Sequence, residues 1–446
     1  KQDKITKYSQ LKGKTVGVKN GTAAQSFLEK HQDKYGYKIK SFDTGDSMYN
    51  SLESASVDAV MDDKAVAQYA INQGQNLRIE MDGESIGSFA FAVKKGSKYE
   101  YLIKDFNKAL KKMKADGSYD FSENFTYVKD WLQQGDLVLG DFEGTIRSDY
   151  PLGGYPLFNA PEAVVPAIKD AGYQVVDLAH NHILDSGLEG VFTTAKAFED
   201  HGISPVGVYT HKNRDKSPIL IKEVKGIKIA ILAYSYGFNG LDSNLSQKEI
   251  DHHLSTFDEE KMKAEIEQAE KEADITVVMP QTGIEYQLEP NEEQVALYHK
   301  MVDWGADIIF GGHPHVVQPS EILEKDGQKK LIIYSMGNFI SNQRIETMAG
   351  VDTAEWTERG VLMDVTIEKT DKGTIIKTAQ AHPSWVSRVE KGTYSPEGYP
   401  LYTYQTLILE DFIEGGKYRN QLDQATKDRI DTAYKEMKEH VHLNWK

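Results

Sequence analysis

Ala306-Asp-Ile-Ile-Phe-Gly-Gly-His-Pro-His315 is an apolar run that ends in two glycines and then presents two imidazoles. Ile308, Ile309 and Phe310 have the β-branched and aromatic character of a short buried strand. Pro314 has no N–H and cannot continue a ladder, so it marks a strand exit. Gly311 and Gly312 let the chain turn where a Cβ would clash. On an extended backbone His313 and His315 project to the same side, and neutral imidazole is a common ligand for divalent transition metals. The segment reads as one wall of a metal site at a strand end.

Working outward, the same kind of strand end recurs. Gly140-Asp-Phe-Glu-Gly144 follows an apolar stretch at 136–139, and Ala179-His-Asn-His182 follows 174–178, with Asp185 and Gly187 just beyond. Met279-Pro-Gln-Thr-Gly-Ile-Glu285 follows 275–278, and Ser335-Met-Gly-Asn-Phe339 follows 331–334. Further strands are expected at 219–234 and 361–367, with helices at 161–171, 188–201, 258–273, 291–305 and 417–440. Strands that alternate with helices predict an α/β fold, in which functional groups collect on the loops leaving one edge of the sheet. The Glu/Lys-rich stretch 258–273 reads as a solvated helix face, and Tyr234 and Tyr236 as core or rim residues.

Composition narrows the function classes. The 446 residues carry a net charge of −16, and the acidic excess lies beyond a lysine-rich first 120 residues. That balance excludes nucleic acid as the expected partner, because phosphate recognition needs a basic face. Cysteine is absent, so there are no disulfides and no thiolate ligands. No run of eighteen apolar residues is present to span a membrane. The opening Lys1-Gln-Asp-Lys carries no leader pattern and reads as a mature or trimmed fragment.

Ahead of these motifs, residues 13–23 predict a strand, a glycine turn and a helix beginning near Ala23. A second unit at 51–60 ends in Ala59-Val-Met-Asp-Asp63. Residues 88–93 read as a strand, and 98–114 as an amphipathic helix with Leu102, Phe106, Leu110 and Met113 on one face. Asp116-Gly-Ser-Tyr-Asp120 is a turn, placing the domains at 1–118 and 119–446.

Asp141-Phe-Glu-Gly144, Asn181-His182, Gly312-His-Pro-His315 and Ser335-Met-Gly-Asn-Phe339, with Pro156-Leu-Phe-Asn-Ala-Pro161, resemble the CapA-type poly-γ-glutamate capsule-synthesis proteins. Those belong to the calcineurin-like metallophosphoesterase superfamily, and the resemblance covers about residues 119–410. It implies a four-layer α-β-β-α sandwich with a dinuclear metal site of Mn, Zn or Fe. By that analogy Glu143, or else Asp141, bridges the metals, Asn181, His313 and His315 are ligands, and His182 is the proton donor or oxyanion stabiliser. Two departures stand out. The superfamily's first Asp-and-His motif does not precede Tyr119, and Gln281 stands where a histidine ligand is usual. They imply an incomplete dinuclear site that holds one metal or none, and impaired catalysis.

Lys12-Gly-Lys-Thr-Val-Gly-Val-Lys-Asn-Gly-Thr-Ala-Ala24 and Val57-Asp-Ala-Val-Met-Asp-Asp63 resemble the second lobe of polar amino-acid solute-binding proteins, the receptors of glutamine-type ABC importers. That resemblance covers residues 11–118 and implies a periplasmic-binding-protein type lobe. Thr22 and Ala23 would meet a ligand α-carboxylate at a helix N-terminus, with Lys19 near its side chain and Asp63 pairing its α-ammonium. Together the resemblances imply an extracellular, cell-surface protein, membrane-anchored at full length. Its expected partners are polyglutamate or another anionic polymer and capsule-synthesis membrane proteins. The alternative is an amino-acid receptor for which the second domain is a scaffold.

Overall fold

The structure is a computed structural model that describes residues 5–62, 66–67, 70–71, 75, 77–79, 119–210, 219–394, 400–443 and 445. The strand expected at 88–93, the helix at 98–114, most of the 116–120 turn and Asp63 lie outside the described residues. The chain divides into two compact units, Lys1–Met113 and Lys114–Lys446.

In the first unit β1 (Thr15–Lys19) lies between β2 (Lys38–Phe42) and β3 (Ala59–Met61), all parallel. Gly21 at φ 72° turns the chain out of β1. Thr22 then caps the helix Ala23–Tyr35, its Oγ1 accepting from the Gln25 N–H at 3.2 Å. Gly36, left-handed at φ 69°, closes that helix and returns the chain to β2. Val16, Val18, Leu28 and Tyr37 fill the small core between helix and sheet.

The second unit is mixed α/β. β4 (Leu139–Asp141), β5 (Val175–Asp177) and β6 (Ser204–Val206) form one parallel sheet. β7 (Leu220–Val224), β8 (Ile227–Ser235), β9 (Ile275–Gln281), β10 (Ile308–Phe310), β11 (Ser320–Lys325) and β12 (Gln328–Ile333) form a six-stranded sheet in the order β11-β12-β10-β9-β8-β7. Its four central strands are parallel and its two outer ones antiparallel. β13 (Arg359–Thr370), β14 (Gly373–Tyr394) and β15 (Pro400–Ile408) make an antiparallel meander. The single strand expected over 219–234 is a hairpin, broken at Lys225-Gly226, both at positive φ.

Every residue of β9 is buried, as a central parallel strand covered on both faces requires. One face of the six-stranded sheet, with Leu232, Val278 and Ile309, packs on helices Glu259–Glu272 and Glu292–Trp304 through Met262, Ile266 and Met301. The other face, with Ile231, Val277 and Leu331, meets Val175 and Val206 of the β4–β6 sheet and Ile376 and Ala379 of β14. Val176 and Leu178 face the opposite way, onto helices Val164–Ala171 and Gly187–Asp200. The Glu/Lys-rich helix is solvated on one side only. Met262, Glu265, Ile266 and Ala269 are buried, and Glu265 accepts from the Tyr234 hydroxyl at 2.9 Å. Among the described residues no helix is long and apolar enough to cross a membrane.

Candidate functional site

The strand-end motifs of the second unit meet one another. From the loop after β10, His315 Nε2 lies 3.9 Å from Glu143 Oε1, which follows β4. Gln281 at the end of β9 donates from Nε2 to Asp141 Oδ2 at 3.2 Å and bridges Gly312 through the backbone. His315 Nδ1 meets Asn338 Oδ1 at 3.1 Å, bringing in the loop after β12. From the loop after β8, Tyr236 lies over His313 at 4.6 Å, and Asn239 accepts from Asn181 Nδ2 at 3.3 Å.

The glycines permit this convergence. A Cβ on Gly311 would sit 2.1 Å from the Tyr334 carbonyl oxygen, and one on Gly312 3.1 Å from Gln281 Nε2. One sequence argument is corrected here. His313 and His315 stand at φ 96° and 58°, so the backbone is not extended and alternation does not put the rings on one side. β10 ends at Phe310, and two left-handed residues bring the ring centroids to 6.3 Å. Non-glycine residues in that region cost energy and persist where packing holds them, as at functional sites.

Hydrogen bonds orient the imidazoles. Asn338 Nδ2 donates to the carbonyls of His315 and Thr357, so its Oδ1 is an acceptor and the His315 proton sits on Nδ1. That leaves Nε2 on the Glu143 side. His182 Nδ1 is held by Asp185 Oδ2 at 2.7 Å, and the same oxygen accepts from the Phe158 N–H. Burial pulls His182 down, but the Asp185 hydrogen bond and charge outweigh it, with Glu143 and Glu285 adding, and its net shift is upward. Burial lowers His313 to about 4, with His315 and His182 pushing the same way. Burial likewise takes His180 down to about 3, so both rings are neutral near pH 7.

Asp141 and Asp177 sit side by side in the β4–β5 register. Burial raises Asp141 well above the carboxylate range, and Asp177 and Glu143 raise it further against the Gln281 hydrogen bond; water still reaches it through the cleft. Asp177 is raised by burial against the Ala179 N–H.

Among the described residues no three His, Asp or Glu side chains are grouped closely enough to hold a metal ion by themselves. A metal held here would therefore need amide donors as well. Glu143 Oε1, Asn181 Oδ1, Gln281 Oε1 and His313 Nδ1 are all buried and make no hydrogen bond. Buried lone pairs are almost always satisfied, and each one left unpaired costs about 1–3 kcal/mol. Three oxygens and an imidazole nitrogen without partners fit a divalent cation. Asp141 differs from Glu143 in that one of its oxygens already accepts from Gln281.

Asp177, Asn239, Asn338, Tyr236 and Tyr286, which stacks on His315 at 6.1 Å, complete the surroundings without having been singled out as site residues. Asp177 had a readable signal: an acid at the end of an otherwise apolar buried strand. Lys19, Thr22 and Ala23 belong to the first unit. Lys19 is exposed, its carbonyl accepts from Thr22 Oγ1 at 2.8 Å, and Ala23 opens the helix.

Fold and site define a mixed α/β protein with a cluster of imidazole, carboxylate and amide groups on the loops at its strand ends. A family profile described as Bacterial capsule synthesis protein PGA_cap matches residues 91–343, and the chain belongs to that family. The chain is 33% identical over 228 residues to the capsule biosynthesis protein CapA of Bacillus anthracis, covering 49% of this chain and 54% of that protein. It is 32% identical over 223 residues to the PGA biosynthesis protein CapA of Bacillus subtilis (strain 168), covering 49% and 57%. It thus spans about half the length of the curated relatives it matches. The N-terminal region is similar to part of amino-acid-binding proteins. One is the putative ABC transporter arginine-binding protein 2 of Escherichia coli (strain K12), 31% identical over 142 residues, covering 30% of this chain and 53% of that protein.

Proposed function

We propose that this chain is a cell-surface capsule-synthesis protein that acts in poly-γ-glutamate assembly or export through a metal-holding site of metallophosphoesterase type. Its similarity to CapA proteins supports the capsule reading. The accompanying fold reading is a four-layer α-β-β-α sandwich. Helix pairs on the outer faces of the six-stranded and β4–β6 sheets, with an apolar layer between the sheets, support it.

The observation that carries the site reading is the set of buried, unpartnered atoms on Glu143, Asn181, Gln281 and His313. These residues, with His315, would hold one divalent ion of Mn, Zn or Fe. Such an ion supplies a Lewis acid that polarises a phosphoryl or carbonyl oxygen and acidifies a water. The chain's own groups do the rest. Asn338 fixes the His315 ring through Nδ1, and Asp185 accepts from the His182 Nδ1–H and favours the protonated ring, whose Nε2–H would donate to a leaving group or steady an oxyanion. Tyr236 and Tyr286 cover the His313 and His315 rings. Polyglutamate or another anionic polymer is the substrate class this site would take, with membrane components of capsule synthesis as partners. Gln281 in place of an imidazole makes the metal weakly held and the hydrolytic activity low.

Elemental analysis of protein purified without chelator, beside His313→Ala, tests the reading. After equilibration with excess Mn or Zn, up to one metal per chain is expected, with binding reduced tenfold or more in the variant; no binding at saturating metal, or equal binding by the variant, would falsify it.

Similarity to amino-acid-binding proteins favours a second activity in the first unit, with Thr22, Ala23, Lys19 and Asp63 around an amino acid. Calorimetry with glutamine and glutamate reads this directly, and absence of heat for both removes it.

A further inference from the structure

β4 and β13 are edge strands: among the described residues β4 pairs as a strand with β5 alone, and β13 with β14 alone apart from its first three residues, where the Asn338 N–H donates to the Arg359 carbonyl and the Val361 N–H to the Met336 carbonyl. One cavity of about 1070 Å³ runs between them, walled on one side by residues 134–143 and on the other by 361–367, both without a break. Each wall contains a strand edge, β4 over Leu139–Asp141 and β13 from Leu362 onward, and the two strands run in opposite senses. β4 ends at Asp141 beside the polar cluster, whereas β13 starts there, its Gly360 bridged to Gly337. Leu139, Met363 and Val365 line the gap on the side of the six-stranded sheet, and Tyr173, Phe339 and Leu362 on the side of the helices. All six are only partly buried, and so apolar surface is open along both faces of the gap.

We propose that this gap is a strand-acceptor site: an extended segment of another polypeptide, apolar toward the six-stranded sheet, inserts between β4 and β13. It would join two three-stranded sheets into one. The chemistry selects this occupant. Two facing edges present rows of N–H and C=O groups that a peptide backbone satisfies along its whole length and a hydrocarbon tail does not. Near the polar cluster the lining is apolar on both faces and asks for an apolar run, whereas further along the exposed Asp364 and Thr366 leave only the side of the six-stranded sheet apolar. The incoming strand would run parallel to one wall and antiparallel to the other, and its end would reach the loops that carry Asp141 and Glu143. The inference does not depend on a metal at the cluster.

The test uses the full chain and a soluble peptide of five alternating valines and leucines flanked by lysines, with amide hydrogen exchange as the readout. At a peptide concentration ten times its Kd, exchange in 134–143 and 361–367 slows about tenfold, and the same peptide with N-methylated amides has no effect. Slowing on neither edge, or on one edge only, overturns the proposal. Equal binding by the N-methylated peptide overturns it as well, since apolar adhesion needs no ladder. So does protection of both edges before any peptide is added, because the gap would then already be filled.

Discussion

At the end of β1 the Thr22 hydroxyl donates to the Lys19 carbonyl and accepts from the Gln25 N–H, and the Gly21 N–H is taken by Gln25 Oε1. At the ends of β4, β5, β9 and β10, by contrast, Glu143, Asn181, Gln281 and His313 each keep a buried atom with no partner. Both regions are strand ends running into turns, built with glycine at the tight positions. The first spends these polar groups on its own backbone and is locally complete. The second holds polar atoms out of water, at a cost of about 1–3 kcal/mol each, and leaves them for something else. Local geometry alone therefore does not mark a site; unspent buried atoms gathered on several neighbouring strand ends do.

This contrast can be broken in several ways. Gly311→Ala carries the largest expected effect, because its Cβ would collide with a backbone carbonyl. A loss of about 3 kcal/mol or more in urea unfolding is expected, and a loss under about 1 kcal/mol would show that the close approach does not hold the loop. Asn338→Leu frees the His315 ring. Metal affinity should drop by roughly 10–100-fold and the Nδ1–H signal of His315 should change in NMR spectra. An unaltered affinity removes Asn338 from the positioning role. Thr22→Ala should cost about 1 kcal/mol through the lost cap and leave metal content untouched; a change in metal content would erase the distinction between the two regions.

The smallest effect is the pH dependence of the His182–Asp185 pair in chelator-treated protein. The His182 value in the folded chain is raised above its ordinary 6.5. The contribution of the pair is therefore complete below 6.5 and is lost as pH rises through the higher folded value. Wild-type Tm should fall over that interval relative to Asp185→Asn, and parallel curves would rule the pair out as a source of stability.

Much of the second unit was legible in sequence because apolar strands and capped helices announce themselves. The helix expected at 258–273 runs Glu259–Glu272 with Asp258 as its cap, and that at 291–305 runs Glu292–Trp304 between Asn291 and Gly305. The long β14 and β15 were not legible. Lys377, Gln380 and Arg388 interrupt the apolar pattern on a meander whose pairing is set by tertiary partners. In the site, residue types pointed to Asp141, Glu143, Asn181, Gln281 and the two histidines. Asn239 was missed, and Asn338, inside the Ser335–Phe339 motif, was given no role, because a supporting amide matters through the atom it holds, which spacing does not encode. The two left-handed histidines escaped for the same kind of reason: a positive φ on a non-glycine residue is imposed by surroundings.

That backbone has a thermodynamic consequence. The His313 and His315 rings approach each other through a conformation that a disordered chain rarely visits, and Glu143, Asn181 and Gln281 join them from strands far apart in sequence. The unfolded chain therefore offers no competing version of the site. Whatever occupies it binds the native state better than the unfolded chain, and its stabilisation grows as the logarithm of ligand concentration over Kd. Occupancy would then be visible as a melting temperature that climbs with ligand concentration, before any reaction is known.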